Sequence, residues 1–452
     1  MKTSGLEPAS LNMQGAIRVT DLVVHSIAIA DPPLRSSYGR HQPYALRTIV
    51  ELRSDAGITG IAETHGGEAI AGAFHSLRPR VIGMDPYRLA GDLLPMLEPP
   101  AESTNEGRSQ THFVPGENPL DIGARLYAAL EIASLDLVGK AVGIPVCDLL
   151  GGRARDEVPF CAYAFYKHAG GGGEADDARE DRYGEALTPP ALVRQVERMI
   201  AEYGYEEVKL KAGVLDPELE IETIRQLRAA LGPAVPLRLD PNCAWSVETS
   251  VRLGKALAGE LAGGGYLEDP TAGLAGMAEV RRRLLAEGVP APLASNVAVT
   301  GFADIPESIP RDAVQIVLCD PHYWGGIRQV QHLGKICRVF GLGLSMHSNT
   351  HLGVSLMAMT HAAAATPHLS YACDTHYPWQ AEEDEVVAGG RVPIVKGRVR
   401  IPDKPGLGVE LDYDRLARGR ERYARCAYRR RDDEAEMRKH VDPNWRRILP
   451  RW

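Results

Sequence analysis

The chain has 452 residues, of which 44% are hydrophobic and 24% are charged, and its formal net charge is −8. This composition is typical of a globular protein with two or three domains, and the acidic balance argues against nucleic acid as the main partner. The seven cysteines are scattered without a CxxC pair, the start lacks a secretory signal, and no apolar stretch is long enough to span a bilayer. We therefore expect a cytoplasmic protein with free thiols and no membrane partner.

The first part of the chain has the pattern of an α+β domain. β-branched residues at 17–29 and 47–63 predict a meander of strands, with a turn in the second run. From about 119 to 140 the pattern becomes helical, because apolar residues recur on one stripe. A boundary near residue 155 assigns 1–155 to this N-terminal domain.

From residue 156 to about 402, short apolar strands alternate with stretches long enough for a helix. Six polar residues mark the strand ends, and successive markers lie 24 to 29 residues apart: Lys211, Asp240, Glu268, Asn296, Asp320 and His347. A βα unit needs roughly 30 residues, so this run favours a (β/α) TIM-type barrel, with an open doubly wound sheet as the alternative. In such barrels the active site lies at the strand ends.

Two further segments flank or interrupt this rhythm. A polar, glycine-rich loop over 170–186 is long enough to be a functional lid or a partly disordered segment. The charged tail, 403–452, is predicted to be partly helical.

Three of the markers suggest a metal site. Taken singly, a strand-end aspartate is most often a turn or a helix cap. Together, Asp240, Glu268 and Asn296 end three consecutive strands, so their oxygens would converge on one rim of a barrel. Such hard donors suit Mg²⁺ and not zinc, which prefers nitrogen and sulfur. His347 and His351 have the spacing of a zinc helix, but the acidic residue of the HExxH type is missing, which excludes a metalloprotease.

The stretch "YEEVKLKAG" places Lys209 and Lys211 on the same face of a strand. Like charge and loss of water favour the neutral form of Lys211, which can then serve as a general base. Asp320 is expected to orient His347 and to fix its tautomer. Two bases that face each other across a metal suit proton removal from a carbon next to a carboxylate, and they disfavour the alternative of a Schiff-base aldolase.

Eight short motifs extend this interpretation over nearly the whole chain: "VKLKAG", "LDPNCAWS", "YLEDP", "LASN", "DPHYWGG", "MHSNTH", "CDTHYPWQ" and "KPGLGVE". They resemble the enolase superfamily, in its mandelate racemase-like branch and glucarate dehydratase subgroup. The resemblance implies a modified (β/α)7–8 barrel over 156–402, an α+β N-terminal capping domain, and a tail over 403–452 that returns to it. It also implies one Mg²⁺ per subunit and a homo-oligomer. Some members use an acid beyond the EDP motif as second ligand, but none follows Asp269 closely here, so we assign Glu268.

The resemblance implies substrate contacts at nine positions: His41, Thr111, Tyr163, Lys209, Asn242, Ser348, Asn349, His376 and Arg431. Neighbouring Arg429 and Arg430 leave the register of the tail arginine open. The implied reaction converts D-glucarate or its epimer L-idarate to 5-dehydro-4-deoxy-D-glucarate. His347 and Lys211 would each remove the proton from one epimer, and His347 would protonate the departing hydroxyl. The alternatives are a dehydratase or epimerase for another acid sugar, such as galactarate, and a weakly active relative.

Overall fold

The computed structural model describes residues 17–97 and 122–452, and its N-terminal part is built on an antiparallel sheet. The first strands are β1 (Val19–Ala30), β2 (Arg35–Ser36), β3 (Gly39–Arg40), β4 (Tyr44–Ser54) and β5 (Thr59–His65). β4 lies between β1 and β5 and pairs antiparallel with both. This sheet agrees with the meander predicted from the β-branched runs.

Helices cover one face of this sheet. They are α1 (Glu68–Val81), α2 (Leu89–Asp92), α3 (Ile122–Val142) and α4 (Val146–Leu149). α3 approaches β5 so closely that a Cβ on Gly60 would lie 2.0 Å from the carbonyl oxygen of Ala133. Glycine is therefore required at that position, because nothing larger fits between strand and helix.

Asp136 on α3 ties this domain together. Its fully buried carboxylate accepts hydrogen bonds from the amides of Ile61 (2.9 Å) and Leu407 (2.7 Å) and lies 2.9 Å from Lys140 Nζ. Because Asp136→Ala leaves these donors without an acceptor, we expect the free energy of unfolding to fall by about 3–5 kcal/mol in urea titrations. Asp156→Ala, whose side chain is 73% exposed, is the control, and equal urea midpoints for the two variants would contradict the prediction.

A parallel sheet with flanking helices follows. In chain order its elements are β6 (Glu157–Pro159), β7 (Ala162–Phe165), α5 (Pro189–Tyr203), β8 (Val208–Lys211), α6 (Pro217–Leu231), β9 (Leu237–Asp240), α7 (Val247–Ala256), β10 (Tyr266–Glu268), α8 (Gly273–Ala286), β11 (Leu293–Ser295), α9 (Ile305–Ser308), β12 (Ile316–Cys319), α10 (Ile327–Phe340), β13 (Gly343–Met346), α11 (Gly353–Ala364) and β14 (Arg398–Arg400). β7 to β13 pair in sequential order, all parallel. These strands are almost wholly buried, as expected of parallel strands covered by helices.

Residues 371–374, called the closing segment below, join the two edge strands of this sheet. The amide of Asp374 donates to Met346 O on β13 (2.8 Å), and the amide of Cys161, next to β7, donates to Cys373 O (2.9 Å). The sheet is thereby closed into a barrel. The predicted fold class, a (β/α) TIM-type barrel with an α+β N-terminal capping domain, is confirmed.

The first apolar run after the domain boundary, 156–163, does not form one strand. β6 pairs antiparallel with β14, whereas β7 pairs parallel with β8 inside the barrel. Pro159 lies at the break, where the missing N–H of proline ends a ladder.

The glycine-rich loop is ordered and bound to the capping domain. The amide of Gly173 donates to Pro43 O (2.8 Å), and the carboxylate of Asp177 bonds Arg422 (3.1 Å) and Arg425 (3.0 Å). In this structure the loop therefore packs against the capping domain, and its role as a functional lid or a partly disordered segment stays a prediction.

The tail contains the predicted helices, α12 (Tyr413–Arg425) and α13 (Asp433–His440). α12 lies along β1, where Arg422 donates to Ala28 O (2.9 Å), so the tail completes the capping domain. The domain limits at residues 155 and 402 stay predictions. All seven cysteines are buried free thiols, and no helix within the two described ranges is long and apolar enough to cross a membrane.

Candidate active site

The six marker residues lie at one end of the barrel. Lys211, Asp240 and Glu268 are the last residues of β8, β9 and β10. Asn296, Asp320 and His347 directly follow β11, β12 and β13. Parallel strands bring their carboxyl ends to the same rim, which is why residues up to 136 positions apart in the chain meet there.

Two lysines and three carboxylates form the floor of the site. Lys209 Nζ lies 2.5 Å from Glu268 Oε2, 2.6 Å from Asp374 Oδ2 and 3.6 Å from Asp240 Oδ2. Lys211 Nζ lies 2.6 Å from Asp240 Oδ2. Both lysines point inward, as their spacing predicted, and carboxylates partner them. Asp374, on the closing segment, is a member that the sequence reasoning missed.

Burial and charge shift the pKa values of this floor in opposite directions. Burial alone would lower the pKa of Lys209, but Asp374 and Glu268 outweigh it and raise that pKa well above its ordinary value. Burial alone would raise the pKa of Asp240, but Lys211 and Lys209 outweigh it and lower that pKa. Burial and the neighbouring Asp240 raise the pKa of Glu268 well above its usual range. A cation beside Glu268 would remove the penalty on its charge.

The side-chain amide of Asn296 lies between the carboxylates and His347. One terminal atom is 3.2 Å from Glu268 Oε1 and 3.0 Å from Asp269 Oδ2, and the other is 3.3 Å from His347 Nε2. If nitrogen faces the carboxylates, it donates to both of them. If oxygen faces them, three oxygen atoms converge, and either a cation or a proton on one carboxyl group has to lie between them.

The donor set fits a hard divalent ion. Asp240, Glu268 and Asn296 supply two carboxylates and an amide oxygen, the ligand types that Mg²⁺ takes. Glu268 Oε2 is buried and makes no hydrogen bond, although Lys209 Nζ lies 2.5 Å from it. Within 17–97 and 122–452, no three His, Cys, Asp or Glu side chains form a metal-binding group by themselves.

Asp320 and His347 form the predicted pair. His347 Nδ1 lies 3.3 Å from Asp320 Oδ2, and both side chains are buried. Burial lowers the pKa of His347, and Asp320 offsets part of that effect. Burial alone would raise the pKa of Asp320, but His322 and His347 outweigh it and hold that pKa well below its usual range. His322 was not singled out from the sequence, although it stands in the same "CDPH" stretch.

A cavity of about 670 Å³, including its open mouth, lies above this floor. Lys211, Asn296, Asp320 and His347 line it on the barrel side. Seven of the nine predicted substrate contacts also line it: His41, Tyr163, Asn242, Ser348, Asn349, His376 and Arg431. Lys209 is fully buried beneath the cavity and does not line it, and Thr111 lies outside the described residues.

Several polar side chains that line the cavity are held by neighbours. His376 Nδ1 lies 2.9 Å from Ser348 Oγ, and burial places the pKa of His376 well below its ordinary value. Asn349 Nδ2 donates to Tyr323 Oη (2.6 Å), and His41 Nδ1 lies 3.0 Å from a carboxylate of the capping domain. The cavity therefore presents a neutral imidazole, that of His376, and oriented amides, groups that suit sugar hydroxyls.

Of the three consecutive tail arginines, Arg431 is the one that lines this cavity. Its guanidinium makes two hydrogen bonds to the carboxylate of Asp433 (2.8 and 2.6 Å). Arg429 donates to backbone carbonyls, and the side chain of Arg430 is 77% exposed. This placement favours the register predicted for Arg431.

Comparisons with known proteins agree with this geometry. Residues 191–415 match the family model described as "Enolase C-terminal domain-like". A probable glucarate dehydratase of Streptomyces coelicolor is 43% identical over 441 residues, which cover 96% of this chain and 99% of that protein.

Two solved structures are similar over almost the same length. An enolase of Pseudomonas fluorescens, with bound magnesium, potassium and tartrate, has a TM-score of 0.88 and 44% identity over 97% of this chain and 100% of that chain. An enolase of Thermobispora bispora, complexed with magnesium and formate, has a TM-score of 0.86 and 46% identity over 96% and 100%.

These likenesses span capping domain, barrel and tail together. They confirm the resemblance that the short motifs indicated. The chain therefore belongs to the enolase superfamily and, within it, to the glucarate dehydratase family.

Proposed function

We propose that this chain is a Mg²⁺-dependent hydro-lyase that converts D-glucarate, and its epimer L-idarate, to 5-dehydro-4-deoxy-D-glucarate and water. The observation that carries the proposal is the presence of two bases, Lys211 and His347, in one cavity beside an oxygen-rich metal-binding set. The similarity to a probable glucarate dehydratase supports the substrate class. The solved structure of the Pseudomonas fluorescens enolase contains tartrate, which is a hydroxylated dicarboxylate, as D-glucarate is.

Asp240, Glu268 and Asn296 would hold the magnesium ion. When bound, this ion supplies positive charge beside the substrate carboxylate and so stabilises the charge that proton removal creates. Lys209 lies below this set and balances its carboxylates.

Lys211 and His347 would remove the proton next to the carboxylate from opposite sides. Lys211 ends β8 and His347 follows β13, and both side chains line the same cavity, so the substrate would lie between them. His347 acts on D-glucarate and Lys211 on L-idarate. With D-glucarate, His347 would then return the abstracted proton to the hydroxyl on the adjacent carbon, which leaves as water. With L-idarate, Lys211 would keep the abstracted proton, and His347 would have to enter the reaction protonated to act as the acid. An imidazole suits both steps because its protonation changes near neutral pH.

The second carboxylate of the substrate needs its own cation, and Arg431 is placed to bind it. Arginine binds carboxylates bidentately and stays charged at working pH. Arg431→Met is expected to raise KM for D-glucarate by about 10- to 100-fold, because a hydrogen bond to a charged group contributes about 1.5–3 kcal/mol. Steady-state kinetics and Mg²⁺ titration check this, since the metal affinity should not change.

Arg430→Met is the matched control for this prediction. Its guanidinium is mostly exposed and pairs with Asp432, so we expect unchanged kinetics. Equal KM values for the two variants would show that the tail arginine is assigned to the wrong register. A thermal melt accompanies the assay, because Arg431→Met leaves the buried carboxylate of Asp433 without its partner.

A panel of acid sugars tests the function itself. The purified chain with Mg²⁺ is assayed for 2-keto acid from D-glucarate, L-idarate and galactarate. We expect product from the first two. Turnover of galactarate without D-glucarate would reassign the substrate, epimer interconversion without keto acid would make the chain an epimerase, and no turnover at all would leave only binding.

A further inference from the structure

The two oxygens of Asp320 have different partners. Oδ1 accepts from the amide of His322 at 2.8 Å and lies 2.6 Å from His322 Nδ1. Oδ2 faces His347 Nδ1 at the longer distance of 3.3 Å. The short contacts of the Asp320 carboxylate are therefore those with His322. Its contact with His347, the candidate base, is longer.

The positions of the ring hydrogens of His322 and His347 follow from the charge of Asp320. An ionised carboxylate only accepts hydrogen bonds, so His322 and His347 must both carry hydrogen on Nδ1. When a ring carries hydrogen on Nδ1 alone, its Nε2 atom is an acceptor. Ser355 Oγ lies 2.7 Å from His322 Nε2, within reach to donate to that acceptor. His347 Nε2 is left as a bare lone pair, the form that a general base requires.

Ser355, the last of these hydrogen-bonded groups, is held by the capping domain. The amide of Ser355, in the first turn of α11, donates to Glu63 Oε2 (3.0 Å). Glu63 lies on β5 and also bonds the guanidinium of Arg47 (2.8 Å). Ser355, His322 and Glu63 are all buried, so each has one set of partners and little freedom to turn.

We propose that His322 and Ser355 are positioning residues for the proposed reaction. They hold Asp320 so that its second oxygen keeps His347 in the Nδ1–H tautomer with Nε2 free for the substrate. This inference rests on the proposed function for the substrate, whereas the tautomer is a property of the protein alone.

A purely structural role for His322 makes a different prediction. The turn that Asp320 begins uses the backbone amide of residue 322, and any side chain would supply it. A buried histidine with satisfied nitrogens could be replaced without any effect on His347 beyond a loss of stability. The positioning role and the purely structural role of His322 therefore predict different tautomers of His347 when His322 is replaced.

The deciding measurement is the tautomer of His347 in the full chain with Mg²⁺, read from long-range ¹H–¹⁵N spectra of protein labelled with ¹⁵N-histidine. His347→Asn assigns the signal. We expect a single Nδ1–H tautomer in the parent, a mixture of tautomers in His322→Phe, and recovery in His322→Asn, whose amide nitrogen replaces Nδ1 as donor. His332→Phe, at an exposed histidine, is the matched control.

Kinetics provide the second readout. His322→Phe should lower kcat for D-glucarate by about 10- to 100-fold with KM unchanged, by analogy with other carboxylate–histidine pairs. Exchange of the L-idarate proton, which Lys211 performs, should persist. Ser355→Ala should show the same selective loss to a smaller degree, and it carries the test if His322→Phe does not fold.

An unchanged His347 tautomer in His322→Phe, or in Ser355→Ala if that variant carries the test, would overturn the inference. A loss of proton exchange on L-idarate equal to the loss on D-glucarate would do the same. Failure of the parent to dehydrate any acid sugar would refute the proposed function instead, while the tautomer measurement would still decide the role of His322.

Discussion

His347→Ala should abolish dehydration of both D-glucarate and L-idarate while leaving exchange of the L-idarate proton with solvent deuterium. The variant loses the base for D-glucarate and the acid that expels the hydroxide, but it keeps Lys211 on the opposite side of the cavity. Acid–base groups of this kind contribute about 10²- to 10⁴-fold each. Deuterium incorporation, followed by NMR for each epimer, measures the effect.

Lys211→Ala is the reciprocal variant. It should lose exchange of the L-idarate proton and retain some proton removal from D-glucarate, because His347 and Asp320 remain intact. Asp320→Asn should lower dehydration in the same way as His347→Ala but to a smaller degree, since the imidazole stays and loses only the carboxylate that orients it. If Lys211→Ala and His347→Ala lose exchange on both epimers equally, the two-sided arrangement is wrong.

Asp240→Ala and Glu268→Ala should each lower activity by about 10³-fold or more while the fold survives. A metal ion contributes several kcal/mol of charge stabilisation, and each 1.36 kcal/mol is a tenfold change in rate. EDTA should abolish the activity of the unmutated chain, and added Mg²⁺ should restore that activity. Calorimetric titration with Mg²⁺ checks that the variants fail at binding.

Asp374→Asn is the matched control for these two variants. Asp374 is a buried carboxylate on the same ammonium, Lys209 Nζ, but it is outside the proposed ligand set. It should therefore retain Mg²⁺ binding. Activity that persists in thoroughly chelated protein, or equal loss of binding in all three variants, would refute the assignment of the ligands.

The sequence predicted the strand ends well because a regular βα repeat leaves a local signal. Lys211, Asp240, Glu268, Asp320 and His347 each stand where a short apolar run stops, and that boundary is visible in the chain itself. Parallel pairing then brings them together without further information.

The remaining members of the site depend on contacts that no local pattern encodes. Asp374 lies on an irregular segment and meets Lys209 from 165 positions away. The role inferred for His322 depends on its contact with Ser355, which lies on α11, beyond α10 and β13. The break at Pro159 follows from pairing with β14, a partner that begins at residue 398.

The closing segment joins the barrel through isolated hydrogen bonds and not through a continuous ladder. Parts of a protein with few backbone hydrogen bonds open at a lower free energy than full strands, so amide hydrogen exchange should be fastest at this seam of the barrel. Asp374 stands at the end of the segment and holds Lys209. A brief local opening would therefore take one carboxylate away from Lys209 Nζ while Glu268 stays in contact with it, so local unfolding at this seam would change the charge balance of the site floor.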